Sequence, residues 1–272
     1  MEEKELKIKI REVINNVDKD KYPRTYSILE FFSNFEDEDT DYIDSFCLNI
    51  IESDGNYPIN PSVAKLLEEV LLGEIEKGND NAMNALGAVY YSGRIGEQNY
   101  NKAVHYYEMA AKCGNRQAQE NLGYCYYYGR LGEADYKKAY HFFIKGALDN
   151  RIISLYKIGD MYKNGYYVEK DEKQAYCIYK RCIDILDEET EKESGADVYM
   201  RLADCYFKGI GTLKNFKKAL EYYQKAEGLY YPRIKNGDFM HRKQFERAIA
   251  MQELSREEIK KGMPKYDWVK ED

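Results

Sequence analysis

The chain has 272 residues, of which 44% are apolar or aromatic, enough for one extended core or two ordinary domains. Its 48 acidic residues outnumber 41 basic ones, and the net charge of −7 is spread along the sequence, so no basic field draws in nucleic acid or anionic lipid. No stretch reaches the roughly 18 apolar residues of a membrane span, and the six cysteines contain no Cys-x-x-Cys pair, so a cytoplasmic protein with reduced thiols is expected.

Residues 1–40 read as an N-terminal helical cap, with Leu6, Ile10, Val13, Ile14 and Val17 at helical spacing. Charges in MEEKELKIKIREV interrupt any apolar run that could act as a leader. The run FEDEDTDYID at 35–44 reads as a solvated acidic stretch. Residues 41–79 form a degenerate helix pair, DYIDSFCLNIIES followed by PSVAKLLEEVLLGEIEKG, with Pro61 near the start of the second helix.

Residues 80–228 repeat themselves. AMNALGAVYYSG at 82–93 returns as AQENLGYCYYYG at 118–129, SLYKIGDMYKNG at 154–165 and VYMRLADCYFKG at 198–209. The anchors Leu86, Leu122, Ile158 and Leu202 are spaced by 36, 36 and 44 residues, and a second half repeats as NYNKAVHYY, DYKKAYHFF, DEKQAYCIY and NFKKALEYY. Ala82, Leu86 and Tyr90 fall at i, i+4 and i+8, one face of a helix, as do Ala118, Leu122 and Tyr126.

Gly93, Gly129, Gly165 and Gly209 follow the last apolar position of each first helix and are predicted C-caps. Asn99, Asp135, Asp171 and Asn215 stand where the second helices need N-caps. Gly87, Gly123 and Gly159 lie inside first helices, where glycine costs about 1 kcal/mol against alanine, so a neighbouring helix must approach closely. Repeat four keeps a small residue there, Ala203. The longer third period comes from DILDEETEKESG at 184–195, expected as an exposed extension of the second helix or its exit loop. Residues 229–272 are expected to supply a polar capping helix over 238–261 and a tail that frays from Pro264.

One helix pair cannot bury its apolar face, but stacked pairs share a continuous core. The pattern resembles the Sel-like repeat family, relatives of the tetratricopeptide repeats: roughly A-x-x-x-L-G-x-x-Y-x-x-G, a short loop, then D-x-x-K-A-x-x-W/Y-Y-x-x-A-A-x-x-G, matched by Ala82 to Gly114 and by Ala118 to Asn150. The resemblance implies an all-α fold, an α/α solenoid in which antiparallel helix pairs form a right-handed superhelix. The loops depart from the family's usual G-x-G-V, reading GRIGE in repeat one and GRLGE in repeat two. Some family members are described as β-lactamases with regular cysteine pairs; Cys113, Cys125, Cys177, Cys182 and Cys205 keep no such register, and that activity is not carried over.

His105, His141, Cys177 and Glu221 occupy one place in consecutive second helices. Stacked helices lie roughly 8–10 Å apart, too far for a tight zinc shell, so no metal is expected. No phosphate-binding, nucleophile-elbow or zinc-protease motif occurs, so neither a catalytic residue nor a cofactor is assigned.

Recognition is the better reading. By resemblance the first helices line a concave surface through their third, seventh and tenth positions: Asn84, Ala88 and Tyr91; Glu120, Tyr124 and Tyr127; Tyr156, Asp160 and Lys163; Met200, Asp204 and Phe207. The chain holds 28 tyrosines against one tryptophan, more than repeat packing alone requires, and rings among carboxylates suit the binding of another protein or peptide. The competing reading is that Tyr124, Tyr127 and Tyr128 complete the packing between helices. The expected function is a non-catalytic scaffold or adaptor holding a partner peptide, helix or loop. The alternatives are a specialised binder (an inhibitor, immunity protein or host-directed effector) or an enzyme with its site in the non-repeat ends.

Overall fold

A computed structural model of the chain describes residues 1–35, 42–53, 58–235 and 241–262. It divides into two compact units, Met1–Phe142 and Phe143–Asp272. The described residues form helices packed in consecutive pairs, the α/α solenoid class. Most of the acidic run at 35–44 and the tail from Pro264 lie outside the described residues.

The first unit holds α1 (Glu3–Ile14), α2 (Pro23–Asn34), α3 (Tyr42–Glu52), α4 (Pro61–Glu76), α5 (Asp80–Ser92), α6 (Tyr100–Lys112), α7 (Arg116–Tyr127) and the start of α8 (Tyr136–Leu148). Leu6 and Ile10 of α1 are fully buried, because α1 packs against both α2 and α4. Asn60 caps α4 from just before Pro61, its side chain accepting from the amides of Ser62 and Val63. Caps also tie repeat to repeat: Asn115 accepts from the Ala118 amide at 2.9 Å and donates back to Asp80 at 2.9 Å and Asn81 at 3.1 Å. Asn79 repeats the device one pair earlier, accepting from Ala82 and donating to Asp44.

The second unit continues with α9 (Ile152–Asn164), α10 (Glu172–Asp184), α11 (Glu188–Thr190), a π-helical turn (Glu191–Gly195), α12 (Ala196–Lys208), α13 (Phe216–Lys235) and α14 (Arg242–Lys261). α9 pairs with α10 and α12 with α13, while α14 lies along α13 and buries Ala248, Gln252 and Ser255. α13 runs through residue 228 to Lys235 despite Pro232.

The anchors Leu86, Leu122, Ile158 and Leu202 are at most 4% exposed, so all four serve the core. At Gly87 and Gly159 the close approach comes from a tyrosine of the following helix. A Cβ on Gly87 would lie 2.6 Å from the Tyr107 ring, and one on Gly159 would lie 2.5 Å from Tyr179. Gly93, Gly165 and Gly209 are left-handed C-caps. Gly129 is also left-handed, at φ 61°, but α7 stops earlier and Tyr128 is its cap.

The insertion corrects an expectation. α10 ends at Asp184, and after a short exit loop over 185–187 the rest of the segment forms helical turns of its own. Asp187 opens α11 with a capping box to Thr190, and the π-helical turn leads into α12. Ser194 and Gly195 are buried and Leu186 packs on the α12–α13 cluster, so only part of the segment is exposed.

Candidate partner-binding face

Each candidate position can be followed along the first helices α5, α7, α9 and α12. At the third position Asn84 is half-buried and accepts from Asn121 at 3.0 Å, whereas Glu120, Tyr156 and Met200 are buried. These three do not lie on an open surface. Met200 belongs to the cluster between α12 and α13, and the Arg201 guanidinium lies 4.0 Å over the Tyr156 ring.

The seventh position is divided. Ala88 packs on the first unit's core, and the half-buried Tyr124 stacks on Tyr128 at 5.9 Å and 17°. Asp160 is buried, which removes it too from the expected surface, and the cause is specific. Tyr179 fills the space above Gly159 and its hydroxyl donates to Asp160 at 2.7 Å. Tyr223 likewise donates to Asp204 at 2.6 Å, so both aspartates accept from a phenol of the following helix.

Asp160 also accepts from Arg201 through Nε at 2.9 Å and Nη2 at 2.7 Å, a bidentate ion pair between α9 and α12. Burial opposes ionisation of Asp160, yet the charge and hydrogen bonds of Arg201, with Lys157 behind, hold its carboxyl below the ordinary range. Burial and the nearby Arg201 pull the Lys157 ammonium down to about 8. Asp204 is tied in turn to Arg247 of α14, whose Nη2 reaches both carboxylate oxygens at 2.5 and 2.6 Å.

The tenth position is half-buried in all four helices. Tyr91, Tyr127 and Phe207 each rest edge-on or tilted against the first residue of the next helix: Tyr100 at 5.2 Å, Tyr136 at 5.7 Å and Phe216 at 5.4 Å. Repeat three replaces that aromatic pair with Lys163 and Glu172.

Arg130, Arg201 and Arg247 were not among the expected residues. Arg130, from the GRLGE loop, donates to the Tyr91 hydroxyl at 2.9 Å and lies 5.2 to 5.5 Å from the rings of Tyr91, Tyr100 and Tyr128. Arg94 of GRIGE makes the matching backward reach, donating to the Ser53 carbonyl at 2.6 Å. The departure of both loops from the family pattern was the available signal. A second signal was the fourth position, which reads Ala85, Asn121, Lys157 and Arg201 and becomes cationic where the seventh becomes aspartate.

Helix pairs with this repeated anchor, cap and glycine pattern define an α/α repeat protein. The Sel1 repeat matches residues 80–115, 116–150, 152–181 and 196–227, and the chain belongs to the Sel1-repeat family. Among solved structures, a protective antigen present in uropathogenic Escherichia coli strains, displaying an SLR fold, aligns with a TM-score of 0.60 at 20% identity over 86% of this chain, a likeness of fold. The alignment covers 45% of that antigen, so this chain spans less than half its length. A Sel1 repeat protein from Oxalobacter formigenes is 26% identical over 65% of this chain and 67% of its own, with a TM-score of 0.49. No curated protein matches. Sel1-repeat proteins generally mediate protein–protein interactions. No described helix is long and apolar enough to cross a membrane.

Proposed function

We propose that this chain is a non-catalytic adaptor that binds a peptide, helix or loop of another protein on the face carried by the ends of its first helices. The observation that supports this most is the half-buried ring that recurs at the tenth position. Tyr91, Tyr127 and Phe207 are each braced by a ring of the next helix and still reach solvent. A braced aromatic loses little entropy on binding and offers a large contact area, the profile of an interface anchor.

The face is narrower than the twelve positions first assigned to it. Asn84, Ala88, Tyr91, Tyr124 and Tyr127 remain candidates in the first unit, and Lys163, Asp204 and Phe207 in the second, while Glu120, Tyr156, Asp160 and Met200 are buried.

The test compares two baits in native lysate, the intact chain and the Tyr124→Ala/Tyr127→Ala variant. Both rings are half-buried, so the variant should melt close to the intact chain while its recovered partner binds weaker by about 2 kcal/mol or more. A large loss of stability with binding intact in the folded fraction would make these rings packing residues and move the face elsewhere.

A further inference from the structure

A cavity of about 210 Å³ opens among α9, α12, α13 and α14. It has room for a side chain and too little for a folded element. Its walls include three carboxylates, Asp160, Asp197 and Asp204, and three cations, Lys163, Arg201 and Arg247. Equal formal charge hides an asymmetry in what is already bonded.

Asp160 accepts from Tyr179 and Arg201, and Asp204 from Tyr223 and Arg247. Asp197 accepts from Tyr230 at 3.2 Å and lies 3.7 Å from Arg201 Nη1. Arg201 is spent on Asp160 and on the Asp197 carbonyl. Arg247 reaches Asp204 through Nη2 alone, leaving Nε and Nη1 without an acceptor among the described residues. Lys163 makes no hydrogen bond or ion pair among the described residues, although it is half-buried at the last turn of α9. The three carboxylates are thus bonded, and among the charged groups of the wall the unused capacity is cationic donors, beside the neutral Gln244 amide.

We propose that this cavity receives a carboxylate from the partner, an aspartate or glutamate side chain, held by the Lys163 ammonium and the unused guanidinium N–H groups of Arg247. An acidic side chain supplies the acceptors that these donors lack, and the surrounding carboxylates, each already bonded, stay neutralised as it enters. Hydrogen bonds between such cations and a carboxylate are charge-assisted, shorter and stronger than neutral ones. The assignment rests on the protein-binding reading and gives it a chemical preference: the partner segment is acidic where it meets the second unit.

The test uses the whole chain labelled with ¹³C-methyl methionine, because Met200 lines the cavity and its methyl signal reports on occupancy. A short acetylated and amidated peptide carrying two glutamates should shift the Met200 signal saturably, and its glutamine counterpart should not. Lys163→Met should weaken the glutamate peptide at least tenfold. Lys163→Glu should abolish that binding and admit the lysine version of the peptide, a reversal that a misfolded variant would not show. Equal shifts with glutamine and glutamate, or indifference to Lys163→Met, would overturn the proposal. A shift with a neutral peptide bearing only a free terminal carboxylate would reassign the site to a chain end and overturn the side-chain source. Capture of a partner through Tyr124 and Tyr127 with Met200 unmoved would sink this inference and leave the adaptor reading standing.

Discussion

In the Met1–Phe142 unit the seventh and tenth positions of the first helices carry Ala88, Tyr91, Tyr124 and Tyr127, whereas in the Phe143–Asp272 unit they carry Asp160, Lys163, Asp204 and Phe207. The first unit places rings there and lays the Arg130 cation among them. The second places carboxylates there, roots them on the hydroxyls of Tyr179 and Tyr223, and crosses between helices with Arg201 and Arg247. One backbone template therefore supports two kinds of contact between elements. The aromatic kind leaves rings half-open, and the ionic kind lets Asp160 be buried because Arg201 compensates its charge, while Asp204 and Arg247 stay nearer solvent.

If that contrast is right, losing an arginine should cost far more in the second unit than in the first. Arg201→Met would leave Asp160, 6% exposed, without its bidentate partner, and removing one side of a buried pair costs about 3–5 kcal/mol. Urea denaturation followed by circular dichroism measures it. A shift under about 1 kcal/mol would place the pair in the weak, solvent-screened class and erase the difference between the units.

Acid should find the same pair. Asp160 is held below its ordinary 3.8, so the unfolded chain binds its proton more readily. The group's contribution is therefore present above about pH 4 and is lost as pH falls through the lower folded value. Melting temperature should fall more gently below about pH 4 in Asp160→Asn than in the intact chain. Parallel curves would mean that other carboxylates govern acid unfolding.

The tyrosine-over-glycine contact sharpens the comparison at smaller cost. Gly→Ala inside a helix ordinarily stabilises by up to about 1 kcal/mol. At Gly159 the added Cβ would meet the Tyr179 ring, which is fully buried and pinned through its hydroxyl to Asp160, so Gly159→Ala should destabilise by about 1–3 kcal/mol. Gly87→Ala meets Tyr107, whose ring is nearly as buried. A stabilising result at Gly159 with a destabilising one at Gly87 would mean that Tyr179 is the looser ring despite its bond to Asp160.

Much of this fold was legible in the sequence because its periodic signals are local. The anchors Leu86 to Leu202, the caps Asn99, Asp171 and Asn215, and the glycines that demanded a close neighbour follow from spacing within a single helix pair. The face was legible only as an angle on each helix. That angle is shared by Asn84, half-buried, and Tyr156, buried, since burial depends on what a more distant element brings. Arg201 is 41 residues from Asp160, and Arg247 is 43 from Asp204 and comes from the capping helix. No periodicity announces such partners. The insertion was only partly read for a related reason: its charges suggested exposure throughout, while Leu186, Ser194 and Gly195 within it pack.

The smallest expected effect lies at Arg130, and it decides whether the first unit's cation is a fastener or an ornament. Its guanidinium is bonded to the Tyr91 hydroxyl and stands among three rings, of which Tyr128 is 49% exposed. Such a partly solvated cation–π arrangement contributes about 0.5–1 kcal/mol, several times less than the buried pair in the second unit. Arg130→Met keeps most of the apolar stem and removes the charge, so denaturation should shift by no more than that amount. The sharper consequence is local: the loop after α7 would lose its tether to the end of α5, and Tyr91 would lose its hydroxyl's donor. Hydrogen exchange should then quicken in residues 128–134 and leave the core amides of α5 and α6 unchanged. Faster exchange throughout the first unit would make Arg130 a structural tie on the scale of Arg201, and the contrast between aromatic and ionic halves would fail.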